Sequence, residues 1–232
     1  QNAGQYNTTA AEYSIKPIKL VIDVTKGDDL GTIYLHGKID RLDTINIDDE
    51  RYIRIIDYKS SKKSINLGEI VDGTNIQLVF YLYALENLGA GTAYAAMYLP
   101  MINAYESLDA NSLDEIEKKL QDQLKMKGIV VNDKDIYQKF ELIEGDKSEF
   151  SDVTIKGDDL KGSSVVSKNQ MKQIMDMVIS SITSLSKDML NGNIEPCPVG
   201  NSCDYCQYKS ICKIDSRTPG YRKKRATKLS LN

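Results

Sequence analysis

Two aspartates interrupt stretches that are otherwise largely apolar: Asp40, in Gly37-Lys38-Ile39-Asp40-Arg41, and Asp57, in Ile55-Ile56-Asp57-Tyr58-Lys59. A carboxylate beside isoleucine in a strand is costly if it points inward without a partner. Two such residues on neighbouring strands suggest convergence on a bound cation. Residues two apart in a strand share a face, so Asp57 and Lys59 project to the same side. Two carboxylates and an ammonium around one point suit Mg2+, which takes oxygen ligands and keeps several of its waters. Such an ion activates water and stabilises charge on a phosphoryl group in transfer. The plainer alternative is a solvated strand face that carries unrelated charges.

A second group lies at the other end. No cysteine occurs before Cys197, and then Cys197, Cys203, Cys206 and Cys212 fall within sixteen residues. Disulfide scaffolds are short and cysteine-dense throughout, so a thiolate cluster for a metal is the better reading, and a reducing cytoplasm the expected compartment. Lys209, Lys213, Arg217, Arg222, Lys223, Lys224, Arg225 and Lys228 then make the C-terminal end basic, with Tyr205, Tyr208 and Tyr221 interleaved. Basic and aromatic side chains together can track a phosphate backbone and stack bases. A solvated tail, or one that packs on a partner subunit, is the alternative. The formal net charge of the whole chain is −3, so it is no generic polyanion binder. No apolar run is long enough to span a membrane, and no signal peptide is visible. The first residues, Gln1-Asn2-Ala3, lack an initiator Met, which raises the expectation of an internal or trimmed fragment.

Strands must position the aspartates. Residues 15–25 read as a strand, with Lys26-Gly27-Asp28-Asp29 as its turn. Residues 32–45 read as a second, with Gly37 as a bulge. Tyr52 to Lys59, after the polar turn Asn46-Ile47-Asp48-Asp49-Glu50, reads as a short buried third. Together they suggest an antiparallel meander. Leu78, Tyr81, Leu82, Leu85 and Leu88 then recur at spacings of three and four, a helix over 75–88 stopped by Gly89 and Gly91. Thr92 to Leu99 reads as a fourth strand, ended by Pro100. Residues 112–127 read as an amphipathic helix that opens with Ser112 and Glu115 as a capping box. Residues 141–168 read as an exposed polar excursion, and 169–190 as a long helix stopped at Asn191-Gly192-Asn193. The expected division is a core over 1–193, a cysteine-rich segment over 194–215 and a basic tail over 216–232.

Gly37-x-Ile39-Asp40-Arg41, Asp57-Tyr58-Lys59 and Gln77-x-x-x-Tyr81 together resemble the RecB-like branch of the PD-(D/E)XK nuclease superfamily. The fold implied is an α/β, restriction-endonuclease-like mixed sheet flanked by helices. The resemblance implies Asp40 and Asp57 as Mg2+ ligands, and Lys59 as the group that orients the attacking water and stabilises charge. Gln77 and Tyr81 follow on a helix, four apart and so on one face. They would reach a phosphate or the Lys59 region together, although Tyr81 taken alone fits core packing as well.

Cys203-x2-Cys206-x5-Cys212 is similar to the iron–sulfur staple of these nucleases, seen in the B subunit of bacterial AddAB helicase–nucleases and in variant form in Cas4. Tyr52 to Ser60 and Lys125 to Ile129 resemble the AddB family rather than Cas4. A [4Fe–4S] cluster needs four ligands. In the AddB family the first cysteine lies upstream of the core, and this chain has none there. Either that ligand lies outside the chain or Cys197 substitutes. A zinc site of four thiolates and free thiols are the alternatives. The family also carries a His or Glu on an upstream helix. Glu12 is an acidic candidate for it that reads equally as a solvated strand-edge residue, and His36 reads as a strand residue rather than a ligand.

The resemblance implies a Mg2+-dependent DNA nuclease that cuts one displaced or single-stranded end during double-strand-break processing. It would partner an AddA-like helicase–nuclease subunit and no membrane. A non-catalytic DNA-binding scaffold with a nuclease fold and a stand-alone Cas4-type exonuclease are the other readings. Nothing here resembles a Walker A loop, so any ATPase lies outside these residues.

Overall fold

The computed structural model describes residues 6–23, 30–102, 112–141, 143–215, 217 and 227. The turn expected at Lys26 to Asp29 lies outside them, as do Tyr221, Arg222, Lys223, Lys224, Arg225 and Lys228 of the basic tail. Strands β1 (Asn7–Asp23), β2 (Leu30–Ile47) and β3 (Glu50–Lys59) come first, followed by α1 (Leu67–Val71), α2 (Gln77–Asn87) and β4 (Thr92–Pro100). Then come α3 (Leu113–Leu124), β5 (Lys127–Val131), α4 (Lys134–Phe140), β6 (Ile143–Glu144) and β7 (Lys147–Ser148). The chain ends with β8 (Thr154–Lys156), β9 (Asp159–Lys161), β10 (Val165–Val166), α5 (Lys168–Leu190) and α6 (Lys209–Cys212).

Six strands form a mixed sheet in the order β1-β2-β3-β4-β5-β10. β2 and β3 are antiparallel, β3 and β4 parallel, β4 and β5 antiparallel, and β5 and β10 parallel. Ile53 to Asp57 and Ala93 to Tyr98 are buried without a break, as expected for central strands covered on both faces. α2 lies against β3 and β4. Its residues Leu78, Val79, Phe80, Tyr81, Leu82, Ala84 and Leu85 are all buried, so it is apolar around most of its circumference. Gly89, at φ +72°, closes it: the Ala90 N–H reaches the Leu85 carbonyl at 2.9 Å, a Schellman-type stop. α3 opens as its sequence indicates, with Ser112 accepting the Glu115 N–H at 3.3 Å.

Two compact units divide the chain. One comprises Gln1–Ile18, His36–Ile65 and Gln77–Met175, the other Lys19–Leu35, Asn66–Ile76 and Asp176–Asn232. The aspartates of interest belong to the first unit and the cysteines to the second.

Residues 141–168 correct the sequence reading. They build a separate four-stranded sheet, β6-β7-β8-β9, and then deliver β10 to the main sheet. Val153, Ile155, Leu160 and Val166 are buried within this stretch. Strands of two or three residues are too short to display alternation, and single apolar residues among Ser, Gly and Asp resemble a loop.

Candidate active site

The β2–β3 ladder runs from Ile47 opposite Glu50 to Arg41 opposite Ile56. β3 continues against β4 as far as Lys59 opposite Pro100. The last β2–β3 pair therefore adjoins Asp40 on one strand and Asp57 on the other. Asp40 Oδ2 accepts the Tyr58 N–H at 2.9 Å, so its carboxylate reaches the backbone between Asp57 and Lys59. Asp57 is buried, and Lys59 Nζ lies 2.6 Å from its Oδ2. That contact lacks hydrogen-bond alignment, and Asp57 Oδ2 has no hydrogen-bond donor. A buried carboxylate oxygen with charge compensation but no aligned donor is costly to keep, and a cation would satisfy it. Among the described residues no three His, Cys, Asp or Glu side chains gather around one point. A cation here would rest on Asp40 and Asp57 and complete its shell with water and phosphate oxygens, which is how Mg2+ is commonly held.

The expected partners on α2 are joined to each other. Gln77 Nε2 donates to Tyr81 Oη at 3.0 Å. Tyr81 is buried, and its ring reaches β2 at Gly37: a Cβ built there would lie 2.3 Å from Tyr81 Cε1 and 2.8 Å from Oη. Gly37 is therefore a point of close approach, which replaces the bulge expected from the sequence. Tyr81 fills core space and also presents a hydroxyl oriented by Gln77, so both readings of it hold.

Arg54 interrupts the isoleucines of β3 and, an odd number of residues from Asp57, faces the other side of the sheet. It is buried with Asp43 and Glu141. Arg54 Nη2 and Nε donate to Asp43 Oδ2 at 2.8 and 3.2 Å, and Nη1 to Glu141 Oε1 at 2.5 Å. Its guanidinium lies 4.8 Å from the ring centroids of both Tyr6 and Phe140. Arg41 Nε reaches Asp43 Oδ1 at 2.9 Å, and Ser148 Oγ donates to Glu141 Oε2 at 2.8 Å. These groups fasten β2 and β3 together at the pairs Arg41–Ile56 and Asp43–Arg54, next to where Asp40 and Asp57 begin. Sequence reasoning missed this network. Its signal was an arginine inside a run of buried isoleucines, and Arg41 and Asp43 at strand spacing.

Glu12 is exposed on β1 and pairs with Lys38 at 2.9 Å, which fits the solvated reading. His36 is an exposed residue of β2. Cys197, Cys206 and Cys212 are exposed and Cys203 is half-buried, all as free thiols. No residue from 187 to 215 is buried. The donor set suits iron or zinc, whereas its arrangement here is open and forms no closed site. Arg217 pairs with Asp215 at 2.8 Å.

Comparison with known proteins follows the same lines. The model of the PD-(D/E)XK nuclease superfamily matches residues 3–213. The B subunit of an ATP-dependent helicase/deoxyribonuclease from Alkaliphilus oremlandii is 35% identical over 220 residues, covering 88% of this chain and 18% of the relative. The B subunit of the same name from Clostridioides difficile is 34% identical over 217 residues, 86% of this chain and 18% of the relative. That of Clostridium botulinum strain Loch Maree is 35% identical over 202 residues, 81% of this chain and 18% of the relative. The chain thus spans 18% of the length of these curated relatives.

Proposed function

Because the chain belongs to the PD-(D/E)XK nuclease superfamily, we propose that it is a Mg2+-dependent deoxyribonuclease module that hydrolyses phosphodiester bonds of one DNA strand. The observation that carries this reading is the buried Asp57 Oδ2, without an aligned donor, beside Lys59 and within reach of Asp40. Asp40 and Asp57 would hold the ion. When bound, Mg2+ supplies Lewis acidity to the phosphoryl group and acidity to a coordinated water.

The remaining work belongs to the chain's own side chains. Lys59 Nζ, kept at Asp57 by charge, stands where it can donate to the attacking water and to a phosphoryl oxygen as charge develops there. Water adds to phosphorus, one P–O bond to a sugar breaks, and the alkoxide released takes up a proton from solvent. Tyr81 Oη and the exposed Gln77 amide offer further donors to the phosphate. Gln77 is already ordered by its bond to Tyr81, so less freedom is lost when it binds.

The relatives' name supports a role within a cytoplasmic helicase–nuclease complex, with an AddA-like partner that unwinds DNA while this module cuts a displaced strand in double-strand-break processing. No helix among the described residues is long and apolar enough to cross a membrane. Cys203, Cys206 and Cys212 would supply three thiolates to a [4Fe–4S] cluster, and Cys197 or a cysteine outside this chain the fourth. No step of the hydrolysis depends on that group.

Asp57→Ala tests the reading directly. Cleavage of single-stranded DNA should fall by at least about a thousandfold, several kcal/mol of lost transition-state stabilisation. The circular dichroism spectrum should be kept. If Asp57→Ala cuts as fast as the parent, the assignment fails.

A further inference from the structure

Beyond β3 the chain runs through Ser60, Ser61, Lys62 and Lys63, all exposed. Lys63 Nζ nevertheless has a fixed seat, 5.2 Å from the centroid of the Tyr98 ring. Lys59 Nζ lies 5.8 Å from the same ring. Tyr98 is buried and stands opposite Asp57 in the β3–β4 ladder. Both ammoniums are within the reach over which a ring quadrupole attracts a cation.

The two cations differ in what else holds them. Lys59 is paired with Asp57. Lys63 has no carboxylate partner among the described residues, so its charge is balanced only by the ring and by water. Holding two cations at one ring leaves net positive charge beside Asp57. That arrangement is unfavourable in isolation and becomes favourable when an anion bridges it. A nucleic-acid strand offers phosphates at regular intervals, so a strand with one phosphate at Asp57 and Lys59 brings a neighbouring one close by. The Tyr98 ring limits the freedom Lys63 has to lose on binding.

We propose that Lys63, seated on Tyr98, forms a second phosphate subsite that takes the phosphodiester next to the one cut. This rests on the nuclease reading above. Lys63 is a positioning residue: it fixes the strand in register and takes no part in bond breaking.

Binding of a fluorescein-labelled oligothymidylate, measured in EDTA over a series of salt concentrations, tests it. A phosphate contact on a single strand contributes about 0.7 to the slope of log affinity against log salt. Lys63→Gln should lower the slope by about that amount and weaken binding at low salt several-fold, and Lys63→Arg should restore both. Lys156→Gln, at an exposed lysine of β8, should keep the parent slope, which separates a subsite from a general loss of charge. In cleavage with Mg2+, Lys63→Gln should raise KM by more than it lowers kcat. A parent that binds and cuts DNA while Lys63→Gln matches it in affinity and slope overturns the subsite alone. So does a fall in kcat with KM unchanged. A parent that neither binds nor cuts DNA overturns the nuclease reading itself.

Discussion

The ring of Tyr81 occupies the space that a side chain at Gly37 would need, with Cε1 2.3 Å and Cζ 2.7 Å from where a Cβ would stand. Two motifs far apart in sequence are thereby one structural feature. The glycine of Gly37-x-Ile39-Asp40 admits the tyrosine of Gln77-x-x-x-Tyr81, and Gln77 then bonds to its hydroxyl. Gly37→Ala should therefore displace Tyr81 and cost about 1–3 kcal/mol, as overpacking does, with a loss of cleavage. In a Tyr81→Ala background the same change should cost much less, because the room exists. A double-mutant cycle with less than about 0.5 kcal/mol of coupling would show that the two positions are independent.

Lys59 should matter to rate more than to cation binding. It supplies positive charge where negative charge develops, so Lys59→Ala should lower turnover by on the order of a hundredfold. Asp57 then loses the ammonium 2.6 Å away, so calorimetry should find Mg2+ bound at least as tightly as in the parent. Loss of Mg2+ affinity together with activity would assign Lys59 to holding the site's structure.

Strand content and site were legible for different reasons. β3 and β4 are long enough for their burial to appear as isoleucine, alanine and tyrosine runs, and α2 showed its period through Leu78, Leu82 and Leu85. Asp57 and Lys59 were legible as a pair because strand alternation alone puts them on one side. The close approach at Gly37 was not, since a glycine in a strand is compatible with a bulge or with a neighbour's ring, and only the fold tells which. The network at Arg54 was illegible for a related reason. Its partners Asp43 and Glu141 lie 11 and 87 positions away, and no local pattern joins them. β6 to β10 were missed because such short strands carry no period.

Glu141 gives the reverse face of the sheet a pH signature. Burial raises its carboxyl above the ordinary range, and the charge of Arg54 and the bonds from Ser148 and Arg54 offset this only in part. Arg54 divides its guanidinium between Glu141 and Asp43, which limits that compensation. A raised carboxyl takes up its proton more readily in the folded state. Folding therefore gains stability as pH falls from the folded-state value to the ordinary 4.5, and gains nothing further below it. Glu141→Gln stands in for the protonated form. It should melt above the parent at neutral pH, with the gap closing as pH falls towards 4.5. A variant that melts below the parent at neutral pH would show that the ion pair outweighs burial.

The cysteine segment should depend on a bound metal for its order. From 187 to 215 no side chain is buried, and Ile194, Tyr205 and Ile211 are 89%, 91% and 79% exposed. A stretch without apolar burial has little to set against the chain entropy of ordering it, whereas thiolate–metal bonds contribute folding free energy outright. Anaerobic reconstitution with iron and sulfide should give the brown thiolate-to-iron absorbance and protect residues 194–215 from limited proteolysis. Cys203→Ser, Cys206→Ser and Cys212→Ser should each abolish both effects. Cys197→Ser decides the fourth ligand: loss of about four irons per chain assigns Cys197, and retention places the ligand elsewhere. Protection by zinc without colour would replace the cluster with a tetrahedral zinc site of four thiolates. If neither metal changes the proteolysis pattern, these thiols hold no metal in this chain, and the nuclease assignment at Asp40, Asp57 and Lys59 stands unaffected.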